Sequence, residues 1–291
     1  MGAIKNVLLV VNPISGAMDK TDLIEDIKKE VIKKQATLFV FETSGREDVF
    51  NLKERIKELN PSRLIVAGGD GTIKLAAEAL KDQDIPLGII PAGSANGLAF
   101  NLKLPATLPE QITAAFGDSF NYLDIILLDG DYCLHMSDFG VNAELIRRYE
   151  KSSIRGKWGY FLQTVPTLLN SDYPFKFTVE ANDKVFEAEG ILLAIANASS
   201  YGTGAKVNPK GKLDDGFFEI LIYKEFDFIE ILKTLRNVVD LDPAVVEVIS
   251  TKRAKITCHT PVPFQIDGEY LGKRKSIEAE IIPQKLRIAV L

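Results

Sequence analysis

The stretch Leu64–Ile73, Leu-Ile-Val-Ala-Gly-Gly-Asp-Gly-Thr-Ile, sets an apolar run directly against a glycine-rich turn. A short continuous apolar run reads as a strand buried on both faces, the kind that sits in a parallel sheet covered by helices. Glycines bare the backbone amides and permit positive φ, so Gly68, Gly69, Gly71 and Thr72 can present successive N–H groups to a phosphate. Asp70 is the odd member of the turn. An acid next to a phosphate implies a metal cation between the two negative charges, and so a metal-bound nucleotide. Glycine-rich strand–helix turns also serve merely to reverse the chain. Neither Gly-x-x-x-x-Gly-Lys-Ser/Thr nor Gly-x-Gly-x-x-Gly fits: no Lys precedes Thr72, and Lys74 comes two places after it.

The flanking pattern gives the turn its context. Val7–Val11, Ala36–Thr43, Arg63–Gly69 and Pro86–Pro91 read as strands. Between them, Asp22–Gln35 carries Leu23, Ile27 and Val31 on one helical face, Glu47–Asn60 carries Val49, Leu52 and Ile56, and Thr72–Leu80 is a third helix. Alternating strands and helices predict a doubly wound α/β domain over residues 1–129. In such sheets ligands bind beyond the carboxyl ends of the strands. Three loops of small residues lie at those ends: Asn12–Gly16, Gly68–Thr72 and Pro91–Asn96. Parallel strands bring them to one edge, which strengthens the nucleotide reading.

From residue 130 the rhythm changes. Tyr132–Phe139, Phe175–Glu180, Val185–Ile195, Phe217–Tyr223, Arg253–Cys258 and Ser276–Ile282 read as strands, several with the alternation of a half-buried antiparallel sheet. Helical stretches fall at Lys157–Leu169 and Phe228–Val238. Residues 130–285 are therefore expected to form an all-β sandwich, and Leu286–Leu291 is a closing strand that fits either domain.

Composition excludes several classes. With 35 basic and 40 acidic residues the net charge is −5, so no global basic footprint for nucleic acid exists. Cys133 and Cys258 stand apart in apolar segments and read as buried hydrophobes; His135 and His259 lack ligand-spaced neighbours. No apolar stretch approaches the ~20 residues that span a bilayer, so a cytosolic protein is expected. Basic clusters at Arg147, Arg148, Lys151, Arg155 and Lys157 and at Lys273–Lys275 read first as solvated faces, with transient contact to an anionic membrane as the alternative.

Seven short motifs now stand in order: Asn12-Pro-Ile-Ser-Gly16, Gly68-Gly-Asp-Gly-Thr72, Pro91-Ala-Gly-Ser-Ala-Asn-Gly-Leu-Ala99, Asp138-Phe-Gly-Val-Asn-Ala143, Tyr201-Gly-Thr-Gly204, Leu213-Asp-Asp-Gly216 and Asp267-Gly-Glu269. Together they resemble the catalytic fold shared by diacylglycerol kinases, sphingosine kinases and the bacterial soluble lipid kinases, over nearly the whole chain. The resemblance implies a nucleotide-binding α/β domain and a β-sandwich with the active site in the cleft between them. It further implies transfer of the γ-phosphoryl of ATP to a lipid hydroxyl with Mg²⁺. It places Asn12, Ser15, Gly16, Thr43, Gly68, Gly69, Asp70, Gly71, Thr72, Ser94 and Asn96 at the nucleotide. Asp70 falls on the magnesium side, and Asp267 and Glu269 match the acidic pair that supplies the catalytic base. Asp215, with carbonyls near Lys212 and Phe217, matches a second-domain magnesium site. One departure concerns Gly97, where bacterial members carry Asp; sphingosine kinases also lack that acid.

On the residues alone, Asp267-Gly268 and Asp214-Asp215-Gly216 also read as plain turns. Trp158–Leu169 reads as core, or else as one wall of an acyl-chain pocket. Two further functions compete with a lipid kinase: an NAD kinase-like enzyme, which shares Gly-Gly-Asp-Gly-Thr, and a non-catalytic nucleotide or lipid sensor on the same fold.

Overall fold

The computed structural model describes residues 4–14, 20–93, 96–151, 174–200, 207–225 and 242–291. The helices expected over Lys157–Leu169 and Phe228–Val238, and the wall at Trp158–Leu169, lie outside these residues. The chain divides into two compact units, Met1–Leu123 with Gln284–Leu291, and Asp124–Pro283.

The first unit is the expected α/β layer structure. Strands β1 (Asn6–Val11), β2 (Thr37–Glu42), β3 (Arg63–Gly68) and β4 (Leu87–Pro91) are all parallel, in the order β4-β3-β1-β2. Ile288, near the end of the chain, pairs in parallel with Leu87 and extends the sheet beyond β4. Each central strand is buried along almost its whole length, which is why its sequence shows no alternation. Helices α1 (Lys20–Lys33), α2 (Asp48–Leu59) and α3 (Asp70–Ala79) connect the strands. The apolar stripe of α1, Leu23, Ile27 and Val31, is buried as its spacing requires, and Leu52 and Ile56 do the same for α2. Sequence periodicity did not disclose α4 (Gly97–Asn101) or α5 (Leu108–Ala115), whose lengths are too short to show it.

The α5 backbone lies directly on β4. A Cβ built on Gly88 would sit 2.7 Å from both the Cβ and the carbonyl oxygen of Ala115. Interiors packed at crystal density leave no slack for that methyl group.

The second unit is antiparallel. It contains the end of β5 (Ser119–Leu128), β6 (Asp131–Cys133), β7 (Met136–Gly140), α6 (Val141–Lys151), β8 (Phe175–Ala181), β9 (Lys184–Gly190), β10 (Leu192–Ala196), β11 (Phe218–Tyr223), β12 (Val246–Thr251), β13 (Arg253–Ile266) and most of β14 (Glu269–Val290). The path runs β12-β11-β10-β7-β13-β14, and β8 pairs with both β9 and the first half of β13. Phe139, Phe177 and Phe264 meet at its centre, the Phe139 and Phe264 ring centroids 4.6 Å apart. Cys133 and Cys258 are buried free thiols, as their apolar neighbours indicate.

Two expected strands prove to be broken. Val185–Ile195 divides at Ile191, because β9 pairs with β8 whereas β10 pairs with β7 and β11. The Ile191 amide and carbonyl are used at the crossover, by Tyr223 O and Val141 N. Tyr132–Phe139 divides at Leu134–His135, for a reason that lies in the site itself. The basic cluster begins on the unforeseen helix α6, where Arg147 and Arg148 both pair with Glu144.

The Gly88–Ala115 contact sets a stability test. Gly88→Ala should lower unfolding free energy by about 1–3 kcal/mol, the usual cost of overpacking, read as a fall in the urea midpoint at unchanged slope.

Candidate active site

The carboxyl ends of four parallel strands are stitched together by backbone bonds. The Asn12 amide donates to Ala67 O at 3.4 Å, the Thr43 amide to Val11 O at 2.9 Å, and the Ala92 amide to Gly68 O at 2.9 Å. Asn12 also accepts the Ile14 amide on its side-chain oxygen, which folds the first loop back on itself. Asn12, Thr43, Gly68–Thr72 and Asn96 thus belong to one sheet edge. Ser15, Gly16 and Ser94 lie outside the described residues.

The second and third loops touch backbone to backbone. A Cβ on Gly69 would lie 3.1 Å from Gly93 Cα, and a Cβ on Gly93 only 2.4 Å from Gly69 Cα. Glycine is needed at position 93 for the approach itself, and a side chain at position 69 would crowd the same backbone. Gly68 makes room in the same way for the Thr72 side chain, 2.6 Å from where its Cβ would be. Asn96, at φ 53°, clasps the third loop: its Oδ1 accepts the Gly93 amide at 2.8 Å and its Nδ2 donates to Gly93 O at 3.0 Å.

Asp70 bridges the same two loops. Its two carboxylate oxygens accept the amides of Gly97, at 2.9 Å, and Leu98, at 3.0 Å, capping α4. The acid that stood out in the glycine turn therefore has a local partner, and Gly97 contributes one of the two backbone donors. Each carboxylate oxygen retains a further lone pair. One carboxylate facing outward suits Mg²⁺, which takes one or two protein carboxylates and completes its shell from phosphates and water. No cluster of three or more His, Cys, Asp or Glu side chains occurs among the described residues, so a cage made by protein alone is not what this donor set offers.

In the second unit, Asp267-Gly268 is the two-residue hairpin between β13 and β14, both residues at positive φ (51° and 89°). Asp267 is nonetheless more than a turn residue. Its Oδ1 accepts the amides of His135 at 2.9 Å and Met136 at 3.2 Å and faces Cys133 Sγ at 3.6 Å; its Oδ2 accepts the Leu134 amide at 2.9 Å. Three consecutive amides turn inward to the carboxylate, and this is why the expected strand breaks between β6 and β7. Glu269 is exposed at the start of β14.

Behind that hairpin is a buried chain: Asp138 and Asn142 stand in one of the seven motifs with no role attached, and Gln265 stands in none. Asp138, on β7, is fully buried and faces Gln265 across the β7–β13 pair. Its Oδ2 accepts Gln265 Nε2 at 2.5 Å and Asn142 Nδ2 at 2.6 Å, while Oδ1 is buried with no partner. Gln265 Oε1 in turn accepts the Gly268 amide at 2.7 Å. Burial pushes the Asp138 carboxyl up to about 6, against the opposing pull of Asn142, Gln265 and the Ala143 amide. The available signal was a charged residue and an amide each set inside an apolar strand run.

Asp215 is exposed, and its Oδ1 accepts the Phe217 amide at 3.1 Å, closing a turn. Lys212 and Phe217 flank it; the Phe217 ring lies under Lys252 Nζ, 4.8 Å from the centroid. The turn is held from inside by buried Asp124, whose Oδ2 accepts the Gly216 amide at 2.6 Å and whose own amide donates to Leu213 O at 2.7 Å. A single carboxylate beside loop carbonyls fits a hydrated Mg²⁺ held through oxygen.

Two measurements follow. Asp70→Asn turns one of two acceptors into a donor, set against the Gly97 or the Leu98 amide, and should cost about 1–3 kcal/mol in chemical unfolding. Asp138 has its carboxyl raised from 3.8 to about 6, so the stability it contributes below pH 4 is lost as pH rises through 6. The stability difference between Asp138→Asn and the parent, followed by urea unfolding, should shift in favour of the variant by roughly 2 kcal/mol from pH 4 to pH 8.

Comparison with known proteins gives the family and the fold. Residues 6–128 match the diacylglycerol kinase catalytic domain, and residues 136–290 match the YegS C-terminal NAD kinase beta sandwich-like domain. A diacylglycerol kinase of Staphylococcus epidermidis is 27% identical over 284 residues, covering 92% of this chain and 87% of its own. The probable lipid kinase YegS of Shigella dysenteriae is 25% identical over 258 residues, covering 86% and 85%. In fold, a crystal structure of a diacylglycerol kinase from Bacillus anthracis superposes with a TM-score of 0.75 at 17% identity, over 100% of this chain and 98% of that one. The chain belongs to the bacterial soluble lipid kinase family, built from a diacylglycerol kinase catalytic domain followed by a YegS-type β-sandwich-like domain.

Proposed function

We propose that this lipid kinase uses ATP and Mg²⁺ to phosphorylate a lipid hydroxyl, with a diacylglycerol-like acceptor first and a long-chain base second. The observation that carries the nucleotide half is the Gly69–Gly93 contact, which removes side chains from the floor of the sheet edge and leaves backbone amides there. Amide-rich loops stabilise phosphoryl oxygens where charge is spread over them in transfer. Asn12, Ser15, Gly16, Thr43, Gly68–Thr72, Ser94 and Asn96 are the proposed nucleotide contacts. Asp70 would hold Mg²⁺, which would supply neutralisation of phosphate charge; Asp215 with carbonyls near Lys212 and Phe217 is the proposed second-domain site.

Asp267 takes the acceptor's proton. Among the described residues its Oδ2 takes one amide, that of Leu134, which leaves a lone pair on that oxygen for the acceptor. The lipid oxygen forms its bond to the γ-phosphorus as the bond to the β–γ bridging oxygen breaks. ADP leaves with the electron pair of that bond, and the hydroxyl proton passes to Asp267 Oδ2. Exposed Glu269 is the second member of the acidic pair. Lys273, Arg274 and Lys275, exposed on β14, supply positive charge for transient contact with anionic lipid.

The test is transfer of ³²P from [γ-³²P]ATP to vesicles of total bacterial lipid supplemented with diacylglycerol and sphingosine, with the product identified by mass spectrometry. Labelled lipid is expected with the parent. Asp267→Asn should lower kcat by at least about a hundredfold, in line with loss of a general base. Normal turnover in that variant would remove Asp267 from the mechanism. NADP formed from NAD and ATP would favour an NAD kinase-like enzyme, and tight ATP binding with no acceptor would favour a sensor.

A further inference from the structure

We infer that Asp138 and Gln265 are positioning residues: a buried polar strut, running from β7 through β13, that fixes the orientation of the Asp267-Gly268-Glu269 turn. The inference rests on the reading of Asp267 as proton acceptor.

The strut is defined by direction as well as distance. Gln265 Oε1 receives the Gly268 amide at 2.7 Å, so the other end of its side-chain amide must be Nε2, a donor. That donor points at Asp138 Oδ2, 2.5 Å away. Only an acceptor at position 138 completes the chain. Ser137 Oγ donates to the Gln265 carbonyl at 2.6 Å, which holds the residue from its backbone side as well. Asn142 donates to the same Oδ2 and ties α6 to the strut. Gln265 and Asp138 are both fully buried, with apolar Phe139, Phe264 and Ile266 as chain neighbours.

An apolar pair would fill this place without leaving an oxygen unpartnered. Asp138 Oδ1 is such an orphan, a cost that sheet pairing alone does not explain. What the pair does accomplish is local. The turn residues sit at positive φ. Asp267 is held by its carboxylate, which takes the Leu134–Met136 amides, and by its own amide, which donates to Met136 O at 2.9 Å; Gly268 is held by the bond from its amide to Gln265. Releasing the Gln265 bond frees the Gly268 side of the tip to rock about Asp267. Asp267 keeps its bonds, but the free lone pair of Oδ2 changes direction, and proton transfer depends on that direction.

The experiment combines turnover with hydrogen exchange on the full chain, using ATP and the diacylglycerol- and sphingosine-supplemented lipid vesicles. Gln265→Leu is expected to lose exchange protection at the Gly268 amide and to lower kcat roughly tenfold or more, with the KM for ATP within about twofold. Asp138→Leu should act in the same direction. Asp138→Asn can place its carbonyl where Oδ2 stands and accept both donors, so it should restore kcat to within about threefold of the parent. Parent-like kcat in Gln265→Leu, or an Asp138→Asn variant as slow as Asp138→Leu, overturns the strut. If Asp138→Leu fails to fold, Gln265→Leu and Asp138→Asn still decide. A fully active Asp267→Asn defeats the base assignment instead. If the vesicles give no turnover even with the parent, Gly268 protection decides alone: retained in Gln265→Leu, it overturns the inference.

Discussion

Two α-carbons without side chains, Gly69 and Gly93, set the geometry of the sheet edge proposed to hold the nucleotide. Their approach is closer than a Cβ on Gly93 permits, so the loops after β3 and β4 share a floor made of backbone. The other local features follow from that closeness. Asn96 can clasp Gly93, and Asp70 can reach across to the first amides of α4, because the loops are already in contact. Backbone amides are rigid, carry fixed dipoles and lose no side-chain entropy on meeting a ligand, which suits a site that must hold a polyanion in one alignment.

Unit two solves a different problem. A hairpin tip is normally the least restrained part of a sheet, yet this one is held at both of its residues, Asp267 and Gly268. Its restraint comes from polar groups placed where a stable core would have apolar ones: Asp138, Gln265 and Ser137 lie next to the Phe139–Phe264 pair along β7 and β13. Polar networks of this kind specify geometry at some expense in stability. The expense here has a definite location, the unpartnered Oδ1 of Asp138.

Much of this was legible in the sequence, and the parts that were not share a cause. The central strands and α1 followed from continuous apolar runs and four-residue spacing, because burial on both faces or on one stripe leaves a direct pattern. The acid–glycine hairpin was visible as a turn, and its companions in order carried the family. The break at Leu134–His135 was hidden, because its cause is a carboxylate more than a hundred residues further along the chain. The Asp138–Gln265 pair was hidden for the same reason: only the strand register sets those two residues opposite each other. Helix α6 was obscured by a basic cluster that looked like a solvated face until Glu144 was seen to pair with two of its arginines.

The amides of Leu134, His135 and Met136 deserve to be viewed without the side chain that fills them. Three adjacent N–H groups converging on one point form an anion receptor, and the chain occupies it with its own Asp267. Shortening that side chain would therefore do two things at once: it would delete an acid and vacate a receptor. A small carboxylate from solution, formate or acetate, has the charge and shape to enter the space. The carboxylate here is thus a removable guest in a host built from main chain, and the choice of buffer anion becomes part of the chemistry of any variant that lacks it.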